Sequence, residues 1–170
     1  MDAKFDIGGV FHVEAFESQE AFDRGDAPLW AKDFHNGNTT GGLNHLLNTE
    51  FVGGGQVATW YGGLIDNAGF SALASADTMA SHAGWAESTA YSEGVRQTWG
   101  AGAAAGASIT NGAAMTFTIS GTPTIYGIFI TSSNVKGGAT GTLWATGAFG
   151  SPQLMANGQL LKVTYTLGAA

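Results

Sequence analysis

The sequence predicts a mainly β fold: an antiparallel β-sandwich, jelly-roll-like, with one short helix and long glycine-rich loops. Three observations carry this reading. Several segments alternate apolar and polar residues with the period of two expected of half-buried strands. Glycine, present 27 times, and Asn-Gly and Asp-Asn signals punctuate the chain between them. Only one stretch has helical periodicity, and no repeat of 20–50 residues is visible, which argues against a solenoid.

Residues 4–16 place Phe11, Val13 and Ala15 on one side and His12 and Glu14 on the other, the pattern of a half-buried strand. Residues 17–29 are polar and acidic and read as a loop or arm, after which Trp30 to Phe34 can pair back with the first strand. Thr39 or Thr40 can cap a helix whose Leu43, Leu46, Leu47 and Phe51 share one face, expected to cover the sheet core. Gly41 and Gly42 weaken its first turn, and Gly53 to Gly55 end it.

Gln56 to Ile65 is a strand by its Val, Thr, Trp and Tyr content, and Asp66 to Gly69 is a turn. Residues 70–86 read as an extended loop with at most one helical turn, and 88–99 as holding a strand around Tyr91. GAGAAAGAS at 100–108 is low in complexity and reads as a loop or a packed small-residue strand. Ala114 to Ser120, Thr124 to Thr131, Thr142 to Phe149 and Gln159 to Leu167 follow as strands, the last after the turn signal Asn157-Gly158. The organisation expected is an N-terminal strand with an acidic loop or arm over 1–35, then a sandwich domain over 36–170.

A chain of 170 residues is the size of one domain and can bury about 70% of its unfolded surface without disulfides or a structural metal. With no cysteine, thiol catalysis and Cys-ligated metal sites are excluded. Charged residues are only 11% of the chain, against a typical ~25%. An exterior of hydroxyls and glycine keeps a free monomer poorly dispersed and suits a surface covered by neighbours. All acids precede residue 94, and the six Lys and Arg form no basic cluster, so no nucleic-acid partner is expected. The opening MDAKFDIGG has no signal-peptide pattern and no apolar run spans a bilayer, so no membrane partner is expected and the chain reads as soluble as made.

The search for chemistry leads to no catalytic residue, no metal site and no cofactor. His12, His35, His45 and His82 lack the spacing of metal motifs. Asp77, Ser81 and His82 are near in sequence but read as a surface loop, because a triad is a matter of geometry. Gly100, Gly102 and Gly106 lack dinucleotide spacing, and no Walker loop occurs. A glycosidase carboxylate pair could not come from 94–170, which has no acid.

The stretch 42–91 is distinctive: Gly42-Leu43-Asn44-His45-Leu46-Leu47, Thr59-Trp60-Tyr61-Gly62-Gly63-Leu64-Ile65-Asp66, Asp77 to Trp85, and Ser88 to Tyr91. With Lys136-Gly137-Gly138 through Phe149 and the closing Val163-Thr164-Tyr165-Thr166-Leu167, it resembles a family of tailed-bacteriophage virion structural proteins. The resemblance covers about 130 residues. It implies a head decoration or cement protein, not an enzyme, that binds the outer surface of the assembled capsid. There it would bridge major capsid protein subunits, as a homo-dimer or homo-trimer made in the host bacterial cytoplasm. A tail- or fibre-associated virion β-domain is the alternative it leaves open, with a carbohydrate-binding β-sandwich as a third reading.

Trp60 and Trp144 lie within strand patterns and read as core. Phe5, Phe16, Phe22, Trp30 and Trp99 lie in or beside loop-like segments and are the interface candidates, since buried aromatics dominate many interfaces. The first 35 residues are expected to act as a docking arm.

Overall fold

A computed structural model describes residues 6–169. In chain order the elements are β1 (Ile7–Phe16), α1 (Gln19–Asp23), β2 (Trp30–His35), β3 (Gly37–Asn38) and α2 (Thr40–Phe51), then β4 (Trp60–Asp66), β5 (Glu87–Ser88) and β6 (Gln97–Trp99). The second half holds β7 (Ser108–Thr110), β8 (Met115–Thr118), β9 (Thr124–Thr131), β10 (Leu143–Leu154) and β11 (Leu160–Ala169). They form two antiparallel sheets, so the mainly β sandwich expected from the sequence is the observed fold.

In sheet one the order is β2-β1-β11, with β7 and β8 both pairing along the far side of β11. In sheet two the order is β3-β10-β9-β4, with β5 and β6 both pairing along β4. The gap between β7 and β8 is bridged by a side chain. Asn111 accepts from the Tyr165 backbone N–H at 2.8 Å and donates to the Val163 carbonyl at 3.3 Å, so its amide continues the ladder.

The two sheets bury different surfaces. In β1, Phe11, Val13 and Ala15 are buried while His12 and Glu14 face outward, as the alternation predicts. They meet Leu161, Val163 and Tyr165 of β11 and, from sheet two, Leu64, Ile128, Ile130 and Ala145 in one core. Sheet two is apolar on both faces. Ile65, Phe129 and Leu143 point away from sheet one into a second cluster with Met79 and Trp85, against which Phe70 and Leu73 pack. The small-residue stretch 70–86 therefore forms a covering layer, without a helix, which explains why β4 and β9 read as continuous apolar runs.

Several expectations are corrected. The loop read over 17–29 contains a second helix, α1, capped by Ser18, whose hydroxyl accepts from the Ala21 N–H at 3.2 Å. The strand expected around Tyr91 divides into β5 and β6, and Tyr91 makes only an isolated bridge to Ile119. The docking arm expected over 1–35 is replaced, within the described residues, by sheet structure: β1 is paired on both sides, to β2 and to β11. No helix among the described residues is long and apolar enough to cross a membrane.

Candidate binding surface

The start of α2 fixes the geometry of the surface described below. Thr39 accepts from the Gly42 N–H at 2.9 Å, its hydroxyl donates to the Leu143 carbonyl, and its own N–H bonds the Trp144 carbonyl at 2.9 Å. The cap thus nails the helix to β10. Gly42 makes this possible, because a Cβ there would lie 2.7 Å from the Trp144 carbonyl oxygen and 2.9 Å from its Cα. The glycine that weakens the helix by propensity is required by its packing.

Beyond that turn the helix does not lie as its leucine pattern predicts. The side turned to the body follows Gly42, His45 and Thr49, one step out of phase with the leucine stripe. Leu43 still packs against the core, but Leu47, Phe51 and Val52 are exposed by 53%, 79% and 77%. Gly42 is the helix's only fully buried residue. The result is an apolar face with no partner among the described residues.

Under α2 lies a cavity of about 380 Å³ that takes its walls from the helix and from both sheets. His45, Gln56, Trp60, Trp99, Trp144 and Leu167 are among its lining residues, and none of the lining residues is Asp, Glu, Lys or Arg. The rings are packed on one another: His45 meets Trp60 edge-on with centroids 5.7 Å apart, and Trp60 lies 6.0 Å from Trp144. Two of the indoles are already bonded, Trp144 to the Tyr165 hydroxyl and Trp99 to the Tyr165 carbonyl, both at 3.1 Å.

The interface candidates are not gathered into one surface. Phe5 lies outside the described residues. Phe16 is buried, edge-on to a half-buried Phe22 at 5.2 Å, and the Lys162 ammonium sits 5.6 Å from the Phe22 ring. Trp30 packs edge-on against Phe149 at 6.0 Å. Trp99 is buried in the main core and hydrogen-bonded, and it also borders the cavity. Phe16 and Trp99 are therefore corrected to core residues, because their neighbours within the chain already cover them. The apolar tail of α2 and the Trp60 groove were missed: the leucine periodicity was visible, but not which way the helix would turn.

The distinctive sequence segments turn out to be ties within the fold. The Asp77 carboxylate accepts from the Trp85 indole at 3.0 Å and from the Ala74 N–H at 2.9 Å. His82 Nδ1 lies 2.9 Å from the Trp85 carbonyl, and its ring stacks on Trp85 at 3.9 Å. Asp77, Ser81 and His82 thus form a packed loop rather than a proton relay. Arg96, wholly buried, forms a bidentate pair with Glu87 at 3.0 and 2.7 Å and also donates to the Ser133 and Gly138 carbonyls. Lys136 donates to the carbonyls of Tyr91 and Glu93 at 2.9 and 2.7 Å. Every buried charge here is paired or bonded, as burial requires.

Burial, then the nearby Glu87, holds the Tyr91 phenol well above its ordinary range, and burial alone does the same for Tyr165. Among the described residues no group of three or more His, Asp or Glu could hold a metal ion. No family model matches the chain, and no curated protein sequence matches it.

Proposed function

We propose that this protein is a structural component of a tailed-phage virion. It binds the outside of the assembled capsid and stabilises it by bridging major capsid protein subunits. The observation that carries this reading is the outer face of α2, where Leu47, Phe51 and Val52 stand exposed on a helix pinned firmly at its other end. A rigidly presented apolar patch on a charge-poor exterior is a docking surface, because its burial on a partner releases ordered water at little conformational cost.

The resemblance of residues 42–91 and 136–167 to phage virion proteins supports the choice of partner. The mechanism is linkage: a protein that binds only the finished shell stabilises that shell by mass action, and many weak copies sum to a large effect. Cryo-electron microscopy of virions of the encoding phage tests the assignment. A shell-wide lattice of density fitting the sandwich is the expected result. Density confined to the tail or its fibres would overturn the capsid assignment.

A further inference from the structure

We infer that the aromatic cavity under α2 is a binding site for a neutral sugar, one to two hexose units in size. The inference stands on the cavity alone and does not depend on the capsid assignment.

Size, charge and chemistry each narrow the ligand. About 380 Å³ falls at the lower end of the range for small-ligand sites, enough for a pyranose ring with part of a second. A lining without any Asp, Glu, Lys or Arg offers no counter-ion, so a charged ligand would be desolvated without return. His45, Trp60, Trp99 and Trp144 bring aromatic rings to the lining, whose faces suit the C–H faces of a sugar ring.

Polar groups distinguish a sugar from a purely apolar occupant. Trp144 and Trp99 have spent their indole N–H groups inside the fold. The Trp60 indole N–H, the His45 ring nitrogens and the Gln56 amide make no hydrogen bond among the described residues, and none is sealed from solvent. The Thr49 hydroxyl, also on the lining, is buried without a partner among the described residues. Four free polar side chains beside apolar ones are what a ring bearing several hydroxyls requires, since each hydroxyl that loses water needs a replacement partner. An aliphatic or aromatic side chain of a partner protein would leave all four unanswered.

The test uses the full chain and four probes: maltose and cellobiose as neutral sugars, glucuronic acid as a charged one, and indole as an apolar planar one. Binding is followed by tryptophan fluorescence and by the amide and indole ¹H–¹⁵N shifts. The expected result is saturable binding of at least one neutral disaccharide, with a Kd of about 0.1–10 mM, that moves the Trp60 indole signal. Trp60→Ala should abolish the saturable shifts of the remaining indole and amide signals. His45→Ala and Gln56→Ala should each weaken binding about 3–10-fold, and Gln56→Ala, at an exposed residue, should do so without moving the unfolding midpoint. Saturation by indole alone, equal binding of glucuronic acid, binding indifferent to all three variants, or no saturable binding at all would each overturn the proposal.

Discussion

Two tyrosines show how much the surroundings of one hydroxyl decide. The Tyr165 hydroxyl accepts the Trp144 indole at 3.1 Å, so Tyr165→Phe would leave a buried N–H without a partner and should cost about 1–3 kcal/mol. The Tyr91 hydroxyl is buried with no hydrogen-bond partner among the described residues. Tyr91→Phe therefore removes a desolvated group that gains nothing, and should leave the protein as stable as before or more so. Urea unfolding midpoints of the two variants make the comparison, and a large loss in Tyr91→Phe would show an unseen partner. Both phenols are raised in the folded state by burial, so folding favours their neutral form. Their contribution is complete below the unfolded phenol value of about 10 and is lost as the pH climbs above it, because only the unfolded chain ionises readily there. Unfolding midpoints measured from pH 8 to 11.5 should stay level at first and then fall, with a smaller fall in Tyr165→Phe.

At the scale of elements, strands were legible in the sequence and orientations were not. β1, β8, β9 and β11 announce themselves because one buried face forces strict alternation, or two buried faces force an apolar run. A cap of α2 at Thr39 or Thr40 was legible for the same local reason, a hydroxyl placed where the first turn needs an acceptor, and Thr39 takes it. The direction of the helix's leucine stripe was not, since it depends on a contact with Trp144, over 100 residues away in the chain. Gly42→Ala tests that contact. Helix propensity alone predicts a gain of about 1 kcal/mol. The 2.7 Å approach to a backbone oxygen predicts the opposite sign, and the clash should win, lowering the thermal midpoint. The candidate site was legible only in part, because Trp60 reads as a strand residue and nothing local says that its ring borders a cavity. The edge strand β2 carries its own safeguard. Lys32 shares the inward side with Trp30 and Phe34 and reaches Ser151 of β10 at 2.8 Å, a charge that obstructs the addition of a further strand. On the proposed function, partner binding falls to the helix rather than to the sheet edge.

At the scale of the whole molecule, the N-terminal region and the helix face make opposite predictions. β1 pairs over ten residues with β11 and over six with β2, and Phe11 and Val13 lie at the centre of the core. A chain lacking residues 1–35 should therefore fail to fold cooperatively, seen as loss of a sharp thermal transition, instead of folding normally without its docking function. The outer face of α2 can be changed with little effect on the fold, because Leu47 and Phe51 already face solvent. The double substitution Leu47→Ser and Phe51→Ser should leave the unfolding free energy within about 0.5 kcal/mol of the parent. Co-sedimentation of this variant and the parent with capsids lacking the protein is the most direct measurement. The parent should saturate the shells at a fixed ratio to the capsid protein, with the variant left in the supernatant; equal loading of both, or loading of neither, would contradict the account.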